Sequence, residues 1–261
     1  MSTNLRLDGM TVFLTGAGNG LGRASAIKLA SYGAHIACTD RDPDAAESAA
    51  EQIRGSGGTA TGYRLDVTDR RAVADTVDQA VQDGPGGLHG LVTCAGVPGD
   101  NATVENLDLA SFQRIFAVHF RGTLHAVQAA LPHLKASGGG SVVTLASGAI
   151  DRPFPGSGAY SMSKAAIAML TKTLAAEAGR DGVRANVVAP GFIPTGLSMA
   201  DHDTDEDTRG RFLTGWARQS PMKTVGVPDD VADQVLYLLS PAAAFVTGQT
   251  LRANGGAAMP W

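Results

Sequence analysis

The sequence contains few cysteines and no long apolar run. Cys38 and Cys94 are the two cysteines among 261 residues, and each lies in an apolar stretch that predicts a strand. We therefore expect buried, reduced thiols and no disulfide. No uninterrupted apolar run reaches the roughly 18 residues that a membrane-spanning helix needs, and the polar start carries no secretory signal pattern. These absences predict a cytoplasmic protein that does not enter the membrane.

A strong charge of either sign is also missing, since the formal net charge is -4. This balance gives no general attraction to nucleic acid or to an anionic membrane surface, so we expect a small-molecule partner. The histidines show no spacing typical of a zinc site. The acidic segment 201–207 lacks the sixth-position glycine and the twelfth-position glutamate of a calcium loop. We therefore expect no metal, and a solvated acidic segment.

The chain does contain a regular alternation of short apolar runs and longer helical patterns. Runs that are apolar on both faces and are joined by helices predict a parallel sheet with helices on both sides. Right-handed crossovers then predict a Rossmann-like, doubly wound α/β fold, with seven strands in the order 3-2-1-4-5-6-7. We find no repeat and no linker, so residues 1–261 are predicted to form a single domain. The predicted strands are 11–14, 35–39, 60–67, 88–93, 141–145, 184–188 and 249–253, and the predicted helices are 20–32, 43–54, 69–82, 108–135, 157–178 and 229–239.

One long segment, at about 192–227, lacks a strand pattern and follows the sixth predicted strand. Ligands of open α/β sheets bind beyond the carboxyl ends of the strands, and long loops in compact domains are usually lids, so we predict a substrate lid here. Its apolar residues would cover a hydrophobic substrate, or Phe212, Leu213 and Trp216 would simply pack on the body of the protein. The predicted substrate-contacting residues are Val97, Ser147, Phe154, Phe192 and Trp216.

The glycine-rich segment 15–22, Thr-Gly-Ala-Gly-Asn-Gly-Leu-Gly, lies between the first predicted strand and the first predicted helix. Backbone N–H groups and the helix dipole at such a turn can bind a dinucleotide pyrophosphate, although a tight strand-to-helix turn is the alternative. Asp40 ends the second strand, where a carboxylate binds the ribose hydroxyls of NAD and repels the extra phosphate of NADP. Alternatively, Asp40 caps the helix near Pro43, and Arg41 binds that phosphate. NAD is the expected cofactor.

Tyr160 and Lys164 are four residues apart in a helical pattern and so share one face of the helix. With this pair, the chain resembles the short-chain dehydrogenase/reductases over nearly its whole length. The turn matches the family's cofactor signature, Ser147 precedes the tyrosine by thirteen residues as the family's catalytic serine does, and Tyr160-x-x-x-Lys164 matches its active-site signature. The resemblance implies that the cofactor is held by Gly16, Asn19, Gly20, Leu21, Gly22, Asp40, Arg41, Asp66, Val67, Ala95, Gly96, Tyr160, Lys164, Pro190, Gly191, Ile193 and Thr195.

The resemblance implies an oxidoreductase that interconverts a secondary alcohol and a ketone with NAD(H), and a homotetramer packed through helices 108–135 and 157–178. Tyr160 would be the general acid and base, and Ser147 would orient the reacting oxygen. Lowering a phenol pKa from about 10 to about 7 requires about 4 kcal/mol, which one cation at about 4 Å supplies at an effective dielectric constant near 20. Lys164, helped by the positive nicotinamide of NAD⁺, would supply that charge, and Lys164 would also hold the ribose. Two alternatives stay open: Asp66 as a helix-start residue, and Thr195 as the start of a lid helix.

Two positions depart from the family pattern. Thr93-Cys94-Ala95-Gly96 stands where the family has Asn-Asn-Ala-Gly, and His119 stands where a helix asparagine usually completes the catalytic set. In the family that asparagine holds a water through its main-chain carbonyl, which any side chain preserves. We therefore expect His119 to keep the proton relay through its carbonyl, while a plain core histidine and a proton-shuttling imidazole are the alternatives.

Three other classes of protein fit the sequence less well. A non-catalytic dinucleotide-sensing module would not need Ser147, Tyr160 and Lys164, and a methyltransferase has no use for the Tyr-x-x-x-Lys pair. An NADPH-dependent reductase of carrier-linked β-ketoacyl groups would need a basic rim for its acidic carrier protein. Asp40 and the acidic lid disfavour that reductase.

Overall fold

The protein is built on one parallel sheet in a computed structural model that describes residues 3–199 and 205–260. Its seven strands pair in the order β3-β2-β1-β4-β5-β6-β7, and every neighbouring pair is parallel. The predicted α/β fold and strand order are confirmed. The strands are β1 (Thr11–Thr15), β2 (His35–Asp40), β3 (Thr59–Arg64), β4 (Gly90–Thr93), β5 (Gly140–Leu145), β6 (Val183–Val188) and β7 (Thr250–Leu251).

Helices cover both faces of this sheet. Alternate residues of β1 show why, since Val12 and Leu14 join the core under the helices at 20–31 and 228–239, whereas Phe13 joins the core under the helices at 70–83 and 122–136. A strand buried on both faces needs apolar residues throughout. The helices are α1 (Gly20–Ser31), α2 (Pro43–Gly55), α3 (Arg70–Asp83), α4 (Leu109–Phe116), α5 (Gly122–Ala136), α6 (Gly158–Ala178), α7 (Gly196–Met199), α8 (Glu206–Gln219) and α9 (Pro228–Leu239).

The structure differs from the sequence prediction in two helical regions. The helix predicted over 108–135 is interrupted by a π-helical turn, Ala117–Arg121, which contains His119. The segment 192–227 contains α7, which agrees with the alternative role of Thr195 as a helix start, and α8, which was not predicted. Residues 201–204 of the expected acidic segment lie outside the described residues. Within the described part of the chain, no helix is long and apolar enough to cross a membrane.

Candidate active site

The glycine-rich turn lies between β1 and α1 and packs against the loop that follows β4. Gly16 and Gly20 have left-handed φ angles of +69° and +54°. A Cβ on Gly16 would lie 2.8 Å from the Ala95 backbone, and one on Gly22 would overlap the Gly16 carbonyl oxygen. Asn19 makes no capping hydrogen bond with its side chain at the start of α1. The turn therefore offers close backbone approach and a helix N-terminus, which are the features that hold a pyrophosphate.

Asp40 lies at the carboxyl end of β2 and faces this turn. Its Oδ2 accepts a hydrogen bond from the Gly18 N–H at 3.0 Å, and its Oδ1 accepts one from the Asp42 N–H at 3.1 Å. Asp42 is the residue that caps α2, through the N–H groups of Asp44 and Ala45. The alternative role of Asp40 as a helix cap is therefore wrong. Each carboxylate oxygen keeps a lone pair for a further donor such as a ribose hydroxyl.

Asp66 follows β3 and is likewise not a helix cap. Its Oδ1 accepts hydrogen bonds from the Thr68 N–H at 2.9 Å and the Thr68 hydroxyl at 2.7 Å, which hold the pKa of Asp66 below its ordinary value. The cap of α3 is Asp69. The charge of the nearby, exposed Arg41 acts on Asp66 in the same direction. The neighbouring Val67 is buried, and its carbonyl lies 3.0 Å from Nδ1 of His125.

Ser147, Tyr160 and Lys164 meet beyond the end of β5. Ser147 follows this strand in an extended conformation, its hydroxyl accepts a hydrogen bond from the Ala149 N–H at 3.2 Å, and it lines the same cavity as Tyr160. Tyr160 and Lys164 lie on α6, as the spacing predicted. The Lys164 ammonium is buried, donates to the Leu145 carbonyl at 3.0 Å and lies 5.8 Å from the centre of the Tyr160 ring.

The pKa values of this group are shifted by burial. Burial raises the pKa of Tyr160, and the nearby Ser147 hydroxyl acts in the opposite direction. Burial also lowers the pKa of Lys164 to about 8, opposed by the neighbouring Cys94 thiol. Among the described side chains alone, desolvation of the phenol outweighs the charge of Lys164, whose ammonium is directed at the Leu145 carbonyl; the lowering expected with the nicotinamide of NAD⁺ stays a prediction.

His119 lies in the π-helical turn with its imidazole wholly buried. Its Nε2 accepts a hydrogen bond from the Val97 N–H at 2.9 Å, and its Nδ1 lies 2.8 Å from the Ser163 hydroxyl. Ser163 in turn donates to the Tyr160 carbonyl at 2.7 Å. The imidazole thus connects the loop after β4 to the turn of α6 that carries Tyr160.

Burial lowers the pKa of His119 to about 3, followed in size by the effect of the Lys164 charge. The imidazole is therefore neutral near pH 7, which favours positioning over proton shuttling. The His119 carbonyl accepts a hydrogen bond from the Gly122 N–H and keeps a second lone pair. That lone pair is what a carbonyl-based relay would use.

A cavity of about 710 Å³ opens beside Ser147 and Tyr160. Its wall combines residues predicted for the cofactor with residues predicted for the substrate. Phe192 and Trp216 stack with ring centres 4.6 Å apart and planes 9° apart, and Phe154 lies 5.4 Å from Trp216. The predicted residues that line the cavity are Leu21, Ser147, Phe154, Tyr160, Pro190, Gly191, Phe192, Ile193, Thr195 and Trp216.

Two sequence predictions concern the edges of this cavity. Val97 does not line it, and its backbone N–H donates instead to Nε2 of His119. Thr195 lies at the start of α7, where its N–H donates to the Ser198 hydroxyl at 2.8 Å. It also faces the turn, because a Cβ on Gly20 would lie 3.5 Å from the Thr195 side chain.

Part of the cavity wall comes from the end of the chain and was not predicted from the sequence. Arg252 forms a two-point ion pair with Asp151, with distances of 2.6 and 3.0 Å, and this pair ties the C-terminal segment to the loop after Ser147. Arg152, beside Asp151, also lines the cavity. No motif marks these residues in the sequence. The C-terminal wall residues are Arg252, Ala253, Asn254, Gly255, Ala257 and Ala258.

Known proteins resemble this chain over nearly its full length. A family model described as enoyl-(acyl carrier protein) reductase matches residues 16–258. The 7α-hydroxysteroid dehydrogenase of Escherichia coli K12 is 32% identical over 98% of this chain and 96% of its own length. The chain belongs to the short-chain dehydrogenase/reductase family. A 2-(S)-hydroxypropyl-CoM dehydrogenase of Xanthobacter autotrophicus, another similar protein, is 35% identical over 96% of this chain and 97% of its own.

A solved structure agrees with this family membership. A 7α-hydroxysteroid dehydrogenase complexed with NADH and 7-oxo glycochenodeoxycholic acid superposes with a TM-score of 0.89, at 32% identity, over 98% of this chain and 97% of that one. The protein is accordingly an oxidoreductase that transfers hydride between a nicotinamide dinucleotide and a CH–OH group. The dinucleotide-sensing and methyltransferase alternatives are therefore wrong.

Proposed function

We propose that this family member is an NAD-dependent dehydrogenase of secondary alcohols, with Tyr160 as its general acid and base. The observation that carries the proposal is that Ser147 and Tyr160 line one cavity, which also reaches the cofactor-side residues Leu21 and Thr195. An alcohol placed there would meet a proton acceptor and an orienting donor at one point.

The side chains divide the chemistry among themselves. When bound, the nicotinamide supplies the acceptor or donor of the hydride. Tyr160 takes the proton of the alcohol in oxidation and returns it in reduction, while Ser147 holds the reacting oxygen beside the phenol. Lys164, whose ammonium is already desolvated, holds positive charge near the phenol and binds the ribose. His119 keeps the Val97 loop and the Tyr160 turn of α6 in register.

Asp40 supports NAD as the preferred dinucleotide. Its carboxylate is fixed beside the glycine-rich turn by two backbone N–H groups, so a phosphate on the neighbouring ribose would meet a negative charge that cannot turn away. Arg41 is exposed, and its charge already acts on Asp66. Its attraction for the extra phosphate of NADP is therefore weaker than the repulsion from Asp40.

The test is a panel of secondary alcohols with NAD⁺ and with NADP⁺, read as absorbance of the reduced nicotinamide. We expect turnover with NAD⁺. Tyr160→Phe should abolish turnover and leave NADH affinity within about threefold, because it removes the proton and not the cofactor site. Ser161→Ala is the matched control on the same turn of α6. A Tyr160→Phe variant with turnover within tenfold of the parent would show that another group moves the proton.

The description of the matching family model, an enoyl-(acyl carrier protein) reductase, shares a carrier-linked substrate with one second candidate, an NADPH-dependent 3-oxoacyl-carrier-protein reductase. It ranks below the first because Asp40 opposes the NADP phosphate, and because Asp205, Glu206 and Asp207 place exposed acids on the lid, where an acidic carrier protein would need bases. Reduction of an acyl-carrier-linked ketone with NADPH, faster than oxidation of any free alcohol with NAD⁺, would reverse this order.

We also propose a homotetramer in the cytoplasm. Val104, Leu109, Met162 and Met169 are exposed apolar side chains on or beside α4 and α6, the helices expected at a subunit interface. The two cysteines are free thiols, as in a reducing compartment. Light scattering should give four times the chain mass, and a monomer at micromolar concentration would contradict the tetramer.

A further inference from the structure

The active-site cavity contains two arginines that differ in their partners. Arg252 is neutralised, because both oxygens of the buried Asp151 carboxylate accept from its guanidinium. Arg152 is exposed, and none of the described residues gives it a carboxylate partner. The third charged residue of the wall, Asp230, accepts from the Val227 N–H at 2.8 Å as part of the start of α9. Arg152 is thus the positive charge of the wall that no carboxylate of the described residues pairs with.

Arg152 also stands at the end of a continuous aromatic surface. Its guanidinium carbon lies 5.5 Å from the centre of the Phe154 ring, Phe154 lies 5.4 Å from Trp216, and Trp216 stacks on Phe192. The contact with Phe154 restrains the guanidinium at the cavity wall, since cations are attracted to aromatic faces. If an apolar substrate packs along these rings, one end of that substrate lies beside the guanidinium of Arg152.

We propose that the substrate is a ring-bearing secondary alcohol with an oxyanion group, whose apolar body packs on Phe154, Phe192 and Trp216 and whose oxyanion binds Arg152. A planar guanidinium recognises a carboxylate through two parallel hydrogen bonds, which a neutral amide cannot match. The position of Arg152, five residues after Ser147, makes it a specificity residue outside the chemical step. This proposal rests on the proposed function for the identity of the reacting alcohol.

The proposed substrate class can be tested by measuring binding, which does not require turnover. The parent protein, in its native assembly and saturated with NADH, is titrated by calorimetry. The ligands are hydroxycyclohexanecarboxylates and hydroxylated bile acids, and each carboxylate is compared with its carboxamide. We expect the carboxylate to bind about tenfold or more tightly than its carboxamide, as one charge-assisted contact gives. Arg152→Gln should remove that ratio and leave carboxamide affinity within about twofold, and Arg152→Lys should restore part of it. Arg180→Gln, an exposed arginine before β6, is the matched control.

Two readouts separate the two proposals. Equal affinity for carboxylate and carboxamide in the parent, or an Arg152→Gln variant that weakens both forms alike, overturns the substrate class. Turnover of the same compounds with NAD⁺ is followed separately, and its absence with every alcohol overturns the proposed function even where the carboxylate binds through Arg152. A carboxylate preference that disappears in Arg180→Gln as well would be a general charge effect and would also overturn the role of Arg152.

Discussion

Lys164 should destabilise the folded protein at neutral pH, and this cost can be measured. Burial lowers its pKa from the ordinary 10.5 to about 8, a difference of roughly 2.5 units or about 3 kcal/mol. Since the folded state binds fewer protons than the unfolded state between these two values, stability rises with pH from about 8 to about 10.5. Below about pH 8 the full cost is present. Between about pH 7 and about pH 9.5 it should fall by roughly 2 kcal/mol.

The assay is urea unfolding of the parent and of Lys164→Met at about pH 7 and about pH 9.5. Other buried groups also respond at high pH, because the thiols of Cys38 and Cys94 have raised pKa values. Their effect, and the constant loss of the Leu145 hydrogen bond, cancel when the variant is subtracted from the parent and the two pH values are compared. We subtract the free energy of unfolding of the parent from that of Lys164→Met. We expect this difference to be roughly 2 kcal/mol more positive at about pH 7 than at about pH 9.5.

Lys172→Met is the control, because Lys172 is an exposed lysine on the same helix. Its stability relative to the parent should not change between the two pH values. If Lys164→Met behaves in the same way as Lys172→Met, the ammonium of Lys164 is not desolvated and the argument fails. If the shift has the opposite sign, the folded state stabilises the ammonium, and Lys164 already has a charge partner in solution.

Three further predictions follow from the site. Asp40→Ala should reduce the kcat/KM preference for NAD over NADP by at least about tenfold through loss of charge repulsion, and a parent that prefers NADP would contradict this. His119→Asn should keep turnover within about tenfold, since the relay uses a carbonyl, at a stability cost of about 1–2 kcal/mol for the lost Ser163 contact. A hundredfold loss in a folded variant would instead assign chemistry to the imidazole. Trp216→Ala should change the ranking of substrates by kcat/KM more than it changes Tm, with slower hydrogen exchange of α8 when NADH and a substrate analogue are bound.

The sheet could be predicted because each strand has an apolar pattern in its own residues. The residues of β1 are all buried, so the sequence there has to be apolar on both faces, and the glycine-rich turn adds a second local signal. α8 was missed for the converse reason: it contains no buried residue and so has no strong apolar periodicity. Its start is instead marked by Asp205, whose side chain accepts from the Thr208 N–H.

The same distinction applies to the site. Tyr160 and Lys164 are four residues apart, and the structure places them on one face of α6 as their spacing requires. The pair of Asp151 and Arg252 joins residues 101 positions apart, so no local pattern indicates it. The desolvation that acts on Tyr160 could not be predicted from the sequence either, because it depends on packing around the finished site.

The π-helical turn at Ala117–Arg121 sets the angular phase between two helices. An α-helix advances about 100° per residue, so a π turn, which holds one extra residue, offsets α5 relative to α4 by about that angle. Removal of one residue from this turn would yield a longer, regular helix in which Ala126, Ala130 and Leu134 no longer point at the sheet. Residues here can therefore be exchanged far more readily than they can be deleted, and the chain length between Phe116 and Gly122 is itself a functional property of the protein.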